Sequence, residues 1–362
     1  MKIKAEKIDK QFTTPFEKNG VSVFKKEKGK DFNILQITDV HIGGGCLSRK
    51  KDRLALTAVR DLITYAKPDL VVVTGDVSYP IPVVSGSFNN MRPAKWFSSL
   101  MATLGVPWCM VFGNHDCESY STHKKSQLAK FYSSAPGCLF KSGDQNIFGE
   151  GNYVIRIENE DGSLNNLLVM LDSNSYETNS FFSGFDIVHD DQVEWYEKMI
   201  KEHCKNGEPS LIFQHIPFRE ARDAWWAMQA KSKDTKYYLG AVLEHDQYFG
   251  VPHRYGKEFD TILKLGSTKG VFYGHDHLNT LSMSYKGVRL TYGMSIDYLA
   301  YMKIKNKKNQ RGATLISVFD DGSFDVSLIP LTTVRGEVKG GGLRWHKDKD
   351  LLNTPENKDK NM

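Results

Sequence analysis

Short β-branched runs that each end on a polar residue constrain this chain most. Residues 70–74 read Leu-Val-Val-Val-Thr, a stretch of strand length that suits burial on both faces. It ends in Gly75-Asp76. Residues 32–38 and 108–112 are similar runs, ending in Asp39 and in Gly113-Asn114-His115-Asp116. Between the first two, residues 51–66 carry Leu54, Val59, Leu62 and Ile63 at near-helical spacing, and Pro68 follows. That predicts a helix and its stop. Residues 94–104 give a second predicted helix. Strand, loop and helix in repetition call for a mostly parallel sheet, because parallel neighbours need a crossover. Ligands in open α/β sheets gather beyond the carboxyl ends of the strands. The polar residues at those ends should therefore collect on one edge.

The second half has a different texture. Asp161-Gly162 lies between apolar runs at 153–158 and 167–171, and Asp321-Gly322 between runs at 313–319 and 324–329. Both are hairpin signals. Further strands are predicted at 210–214, ending at His215, at 270–273, ending at Gly274-His275, and at 288–293. A helix is predicted over 190–204. Two sheets packed together, with helices outside, fit this α/β pattern. Residues 1–30 are polar and Lys-rich and read as a flexible N-terminal arm. Residues 31–345 form the folded domain, and 218–255 are an insertion near the substrate. The charged, Leu-poor tail at 346–362 reads as disordered.

Composition narrows the classes. Apolar residues are 40% and charged residues 25%, which excludes a disordered or fibrous chain. No run approaches the ~20 apolar residues of a membrane span. The net charge of +5, from 48 basic and 43 acidic residues, lacks the dense basic patch of a nucleic-acid binder. Five cysteines form no C-x-x-C pair. The first thirty residues have no apolar core of a secretory signal, and no N-x-[ST] sequon occurs. Together these point to the cytoplasm.

Seven donors stand at or just past predicted strand ends: Asp39, His41, Asp76, Asn114, His215, His275 and His277. Oxygen and imidazole donors without thiolate suit Mn, Fe or Zn. Seven are too many for one four-coordinate ion and about right for two ions, divalent or trivalent, that share a ligand. Asp39-Val-His41 and His275-Asp-His277 each place two donors on one side of an extended segment. Any one such pair is a weak signal. With His115, five of the eleven histidines fall at or just past predicted strand ends, and that makes the set strong, because burying such groups without partners would cost several kcal/mol each, roughly.

The ordered series Asp39-x-His41, Gly75-Asp76, Gly113-Asn114-His115-Asp116, His215 and Gly274-His275-x-His277 resembles the calcineurin-like metallophosphoesterases, in the purple-acid-phosphatase-like branch with Asp-x-His. The resemblance covers about residues 32–295. It implies a four-layer α-β-β-α sandwich with two mixed β-sheets flanked by helices, and a two-metal site. By that resemblance Asp39, His41 and His277 bind the first ion, Asp76 bridges, and Asn114, His215 and His275 bind the second. His115 stabilises the phosphoryl group or protonates the leaving oxygen. Asp116 either orients His115 from behind or caps its own loop. Tyr79 matches the tyrosine that ligates iron in purple acid phosphatases, but His41 already fills that place, so Tyr79 reads as an aromatic lining the site.

The implied chemistry is hydrolysis of a phosphomonoester or phosphodiester by a metal-activated hydroxide, with a small phosphorylated molecule as substrate. A nuclease or cyclic-nucleotide phosphodiesterase is the alternative within the class, and a non-catalytic scaffold the alternative outside it. Trp225, Trp226, Arg219 and Arg254 in the insertion are candidate substrate contacts, with aromatic faces for stacking and guanidinium groups for phosphate. The competing reading is an ordinary buried aromatic cluster.

Overall fold

The structure, a computed structural model, describes all residues except 2, 11–12, 178–183, 302–303, 305–307 and 338–362. The predicted disordered tail at 346–362 lies outside the described residues. In chain order the strands are β1 (Phe16–Lys18), β2 (Val21–Lys25), β3 (Phe32–Ile37), β4 (Leu70–Thr74), β5 (Trp108–Val111), β6 (Tyr153–Glu158) and β7 (Leu164–Met170). They continue as β8 (Ser210–Phe213), β9 (Thr235–Leu239), β10 (Thr268–Tyr273), β11 (Ser282–Tyr285), β12 (Val288–Tyr292), β13 (Gly312–Val318) and β14 (Phe324–Pro330). The helices are α1 (Arg49–Ala66), α2 (Pro82–Ser85), α3 (Met91–Leu104), α4 (Lys125–Ser133), α5 (Asp190–His203), α6 (Glu220–Gln229), α7 (Glu258–Leu265) and α8 (Leu331–Val334).

Among the described residues the strands make two mixed sheets. The smaller has the order β14-β13-β3-β4-β5 and the larger β1-β2-β6-β7-β8-β10-β12-β11-β9. The predicted crossovers are present: β3 pairs parallel with β4 and β4 with β5. In the larger sheet β7, β8, β10 and β12 run parallel in succession. Alternation along these strands assigns the layers, since successive side chains point to opposite faces. Leu168, Met170, Leu211, Phe213 and Phe272 join the core that also contains the smaller sheet, α1 and α3. Leu167, Val169, Ile212, Val271 and Tyr273 face the other way, toward α5, α6 and α7. The sheets therefore pack face to face with helices on both outer sides. Cys109 marks the seam, its sulfur 3.9 Å from that of Met170 across the two sheets.

Two expectations need correction. Residues 1–30 are not a loose arm throughout. β2 pairs parallel with β6, Val23 and Phe24 are fully buried, and Ile8 is nearly so. The Lys-rich composition hid Val21, Val23 and Phe24, whose burial outweighs the polar flanks. Residues 218–255, read as an insertion, are built into the larger sheet's layer: α6 packs on the sheet and β9 extends its edge beside β11.

Candidate metal centre

The carboxyl ends of strands from both sheets meet at one edge. Asp39 and His41 follow β3, Asp76 follows β4, Asn114 and His115 follow β5, His215 follows β8, and His275 and His277 follow β10. Backbone bonds lace these loops together. Asp39 donates its amide to the Gly75 carbonyl at 3.2 Å and His41 to the Asp76 carbonyl at 3.0 Å. The His275 amide donates to the Asp39 carboxylate at 3.1 Å. Asp39, His41, Asp76 and His275 all have left-handed backbones, with φ between 50° and 74°. Such φ values are uncommon outside glycine and cluster where surrounding structure over-determines them.

Two glycines serve close approach. A Cβ on Gly113 would stand 2.2 Å from Asp76 Oδ1, and one on Gly274 would stand 2.0 Å from Thr38 Oγ1. Backbone atoms stand close as well, the Asp76 amide nitrogen at 2.5 Å from the first and the Thr74 carbonyl oxygen at 2.9 Å from the second, so larger residues there would displace the loops that carry the donors.

The seven donors converge. Asp76 Oδ2 lies 3.2 Å from His41 Nε2 and 3.2 Å from His215 Nε2. Asp39 Oδ1 lies 3.5 Å from His277 Nε2, and Asn114 Oδ1 lies 3.2 Å from His215 Nε2. His275 sits beside His215 with ring centroids 5.2 Å apart. Asp39, His41 and His277 offer atoms within 4.8 Å of one another, as do Asp39, Asp76 and His215. A third such group is His41, Asp76 and His115, so Asp39, His41 and Asp76 each belong to two groups. Ligands 2.0–2.3 Å from one ion stand roughly 3–3.5 Å apart, a spacing these contacts match.

Electrostatics agree. Burial works to raise the Asp76 carboxyl, but His215, His115 and His41 hold it well below the carboxylate range. Burial works against a charged His41, yet Asp297 and Asp76 keep it well above the ordinary imidazole value. His215 is raised to about 9, Asp76 outweighing burial. Burial and then His215 push His275 well below, which leaves a neutral ring fit to ligate.

Two residues at this edge escaped the sequence reading. Asp297 is fully buried, with one carboxylate oxygen 3.4 Å from His41 Nδ1 and the other 3.4 Å from His277 Nδ1. It also accepts the amides of Leu299 and Ala300, at 2.7 and 2.8 Å. A carboxylate behind a ligating histidine can fix the tautomer and the ring; here one carboxylate stands behind two rings at ion-pair distance, and neither Nδ1 makes a hydrogen bond. Its signal was a carboxylate five positions past the end of β12, just beyond the two to four positions of the other donors. Glu118 is the second: its Oε1 lies 2.6 Å from His115 Nδ1, three residues on in the same loop.

Asp116 does not orient His115. Its carboxylate accepts the amides of Asp76, Ser78 and Gly113 at 2.9–3.0 Å, the loop-capping role. Burial, and then Asp76, raise it to about 6. Tyr79 does line the cluster, its ring centroid 5.0 Å from His41 and 4.8 Å from His115. The insertion residues behave differently. Trp225 is buried and its indole N–H donates to Gln247 at 3.0 Å. Trp226 is exposed with Arg222 over its face. Arg219 sits over the Tyr255 ring, and Arg254 is held by Glu177 and Asp186. Phe185 against His275 and Tyr301 against His277 reach the donors instead. Asn174, also a strand-end residue, turns away to the Ile187 carbonyl and Gln192.

Comparison with known proteins gives a consistent result. The profile of the calcineurin-like phosphoesterases matches residues 32–279. The chain is 29% identical over 307 residues to an Arabidopsis thaliana protein named probable inactive purple acid phosphatase 14, covering 75% of this chain and 72% of that one. It is 29% identical over 286 residues to the phosphatase DCR2 of Saccharomyces cerevisiae, covering 74% of this chain and 47% of that one. A crystal structure of a dimetal phosphatase from Danio rerio superposes with a TM-score of 0.52 at 13% identity, covering 83% of this chain and 96% of that one.

Proposed function

Since the chain belongs to the calcineurin-like phosphoesterase family, we propose that it is a binuclear-metal-dependent phosphohydrolase acting on a small phosphorylated substrate. The observation that carries this reading is the position of Asp76, 3.2 Å from an imidazole nitrogen on either side. Asp39, His41 and His277 would hold one ion, and Asn114, His215 and His275 the other, with Asp76 between. A bound pair of divalent ions acidifies water and neutralises phosphate charge. The chain's own contribution is preorganisation: Asp116 caps the loops after β4 and β5, and Asp297 stands behind two ligand rings. His115 stands beside the cluster, with an atom within 4.8 Å of donor atoms on His41 and Asp76, where it can meet a phosphoryl or leaving oxygen. A cavity of about 490 Å³ opens over His275 and His277, lined also by Glu244, Tyr248 and Tyr301, and offers room for the alcohol portion of an ester.

The word inactive in the plant relative's name gives substance to a second reading, a non-catalytic scaffold. All seven donors and His115 are present here, which favours turnover. Purified protein loaded in turn with Mn, Fe and Zn would be assayed on p-nitrophenyl phosphate and its bis ester, with bound metal counted. Metal-dependent hydrolysis of either ester, abolished by chelation, supports the enzyme. Two ions bound with neither ester cleaved supports the scaffold. Among the described residues no helix is long and apolar enough to cross a membrane.

A further inference from the structure

His115 is held by a short relay. Its Nδ1 lies 2.6 Å from Glu118 Oε1, and the Glu118 side chain is only 13% exposed. Tyr176 joins the pair to the donors: it accepts from Asn114 Nδ2 at 2.8 Å and donates to the same Glu118 oxygen at 3.3 Å. The Tyr79 and His41 rings flank the imidazole at 4.8 and 5.6 Å. With Nδ1 engaged by Glu118, Nε2 is the nitrogen left to face the cluster. Tyr176 also turns the Asn114 amide so that its oxygen, not its nitrogen, lies toward His215.

We propose that Glu118 is the positioning residue that aims His115 Nε2–H at the departing oxygen, and that the site is built for phosphate esters of alkyl alcohols. This rests on the phosphohydrolase reading above. A charge-assisted hydrogen bond to a shielded carboxylate fixes ring orientation far better than solvent does. Esters of acidic alcohols such as p-nitrophenol leave without a proton, whereas an alkyl alkoxide needs one in the transition state. In the step, water oxygen bonds to phosphorus as the ester P–O bond breaks. The proton on His115 Nε2 passes to the leaving oxygen. The proton lost by the attacking water returns to the imidazole, and hydrogen phosphate and alcohol result.

The test is a leaving-group series, from p-nitrophenyl through phenyl to simple alkyl phosphates, run on the metal-loaded wild type, Glu118→Ala, Glu118→Gln and His115→Asn. Glu118→Ala is expected to lose about 10²-fold or more in kcat/KM on alkyl esters and less than about tenfold on the p-nitrophenyl ester, with metal content unchanged. Glu118→Gln, which keeps an acceptor, should recover part of the loss. In the His115→Asn background Glu118→Ala should add nothing, as expected of two groups acting as one unit. Long-range proton–nitrogen NMR of the zinc-loaded protein should show the His115 Nδ1 signal move in Glu118→Ala, independently of turnover. Equal losses across the series, full additivity with His115→Asn, or an unmoved Nδ1 signal would each overturn the inference while leaving the phosphohydrolase intact. A wild type with two ions bound and no activity on any ester sinks both.

Discussion

The edge where the strands of both sheets end and the segment at 218–255 are equally rich in chemically expressive side chains, yet they use them in opposite ways. At the edge, buried charged groups remain clustered with donor atoms 3.2–3.5 Å apart. In the segment, Trp225 is packed into the core and Arg219 lies over a ring of its own neighbourhood. Buried polar groups need partners. A cluster of mutually facing donors is satisfied best by something from outside the chain, whereas an arginine over an aromatic ring is already satisfied. Residue type alone does not separate these cases. Placement at strand termini does.

The sharpest way to break this contrast is Asp76→Asn. On the proposed assignment both ions are lost and turnover falls by about 10³-fold or more, the scale of removing a central electrostatic group. Elemental analysis showing two ions retained would contradict the shared role. Next, Trp225→Ala is expected to cost about 3–5 kcal/mol of stability by denaturant unfolding, while Trp226→Ala stays within about 0.5 kcal/mol. Similar costs for both would remove the distinction between the two tryptophans. Asp297→Asn is expected to weaken metal binding about 10–100-fold, as loss of a carboxylate behind a ligating histidine does, measured by competition with a chelator.

The smallest effect concerns the segment's flank. Glu258 is buried, and burial together with the neighbouring Glu220 pushes it up to about 8. The folded chain therefore holds this proton between the ordinary Glu value of 4.5 and 8, where the unfolded chain has released it. Stability falls as pH rises through that window. Glu258→Gln removes the dependence, so its Tm should match the wild type near pH 5 and exceed it above pH 8. An unchanged difference between the two pH values would disprove the raised value.

The sequence made the β3-α1-β4-α3-β5 crossover legible because Val71–Val73 and the helical spacing before Pro68 are local patterns. The donors were legible because the topology forces strand ends together. β2 was not, since Lys25 and Lys26 mask the run from Val21 to Phe24 and its parallel partner, β6, lies far along the chain. Glu118 and Asp297 were missed for a related reason: each acts through a histidine, so neither stands in a metal-ligand spacing. Asp116 was read two ways because a carboxylate beside His115 can turn to the ring or to the backbone, and three free amides decided the matter.

The pairing of β3 with β13 carries a consequence for biogenesis. Asn33 and Ser317, hydrogen-bonded neighbours, are 284 positions apart. A ribosome must deliver nearly all of the described chain before the smaller sheet can close over β3. Until then an apolar strand waits with an open edge, the circumstance in which non-local β topologies are slow and vulnerable to association. Expression temperature and chaperone supply should thus govern the yield of this protein more than its final stability does.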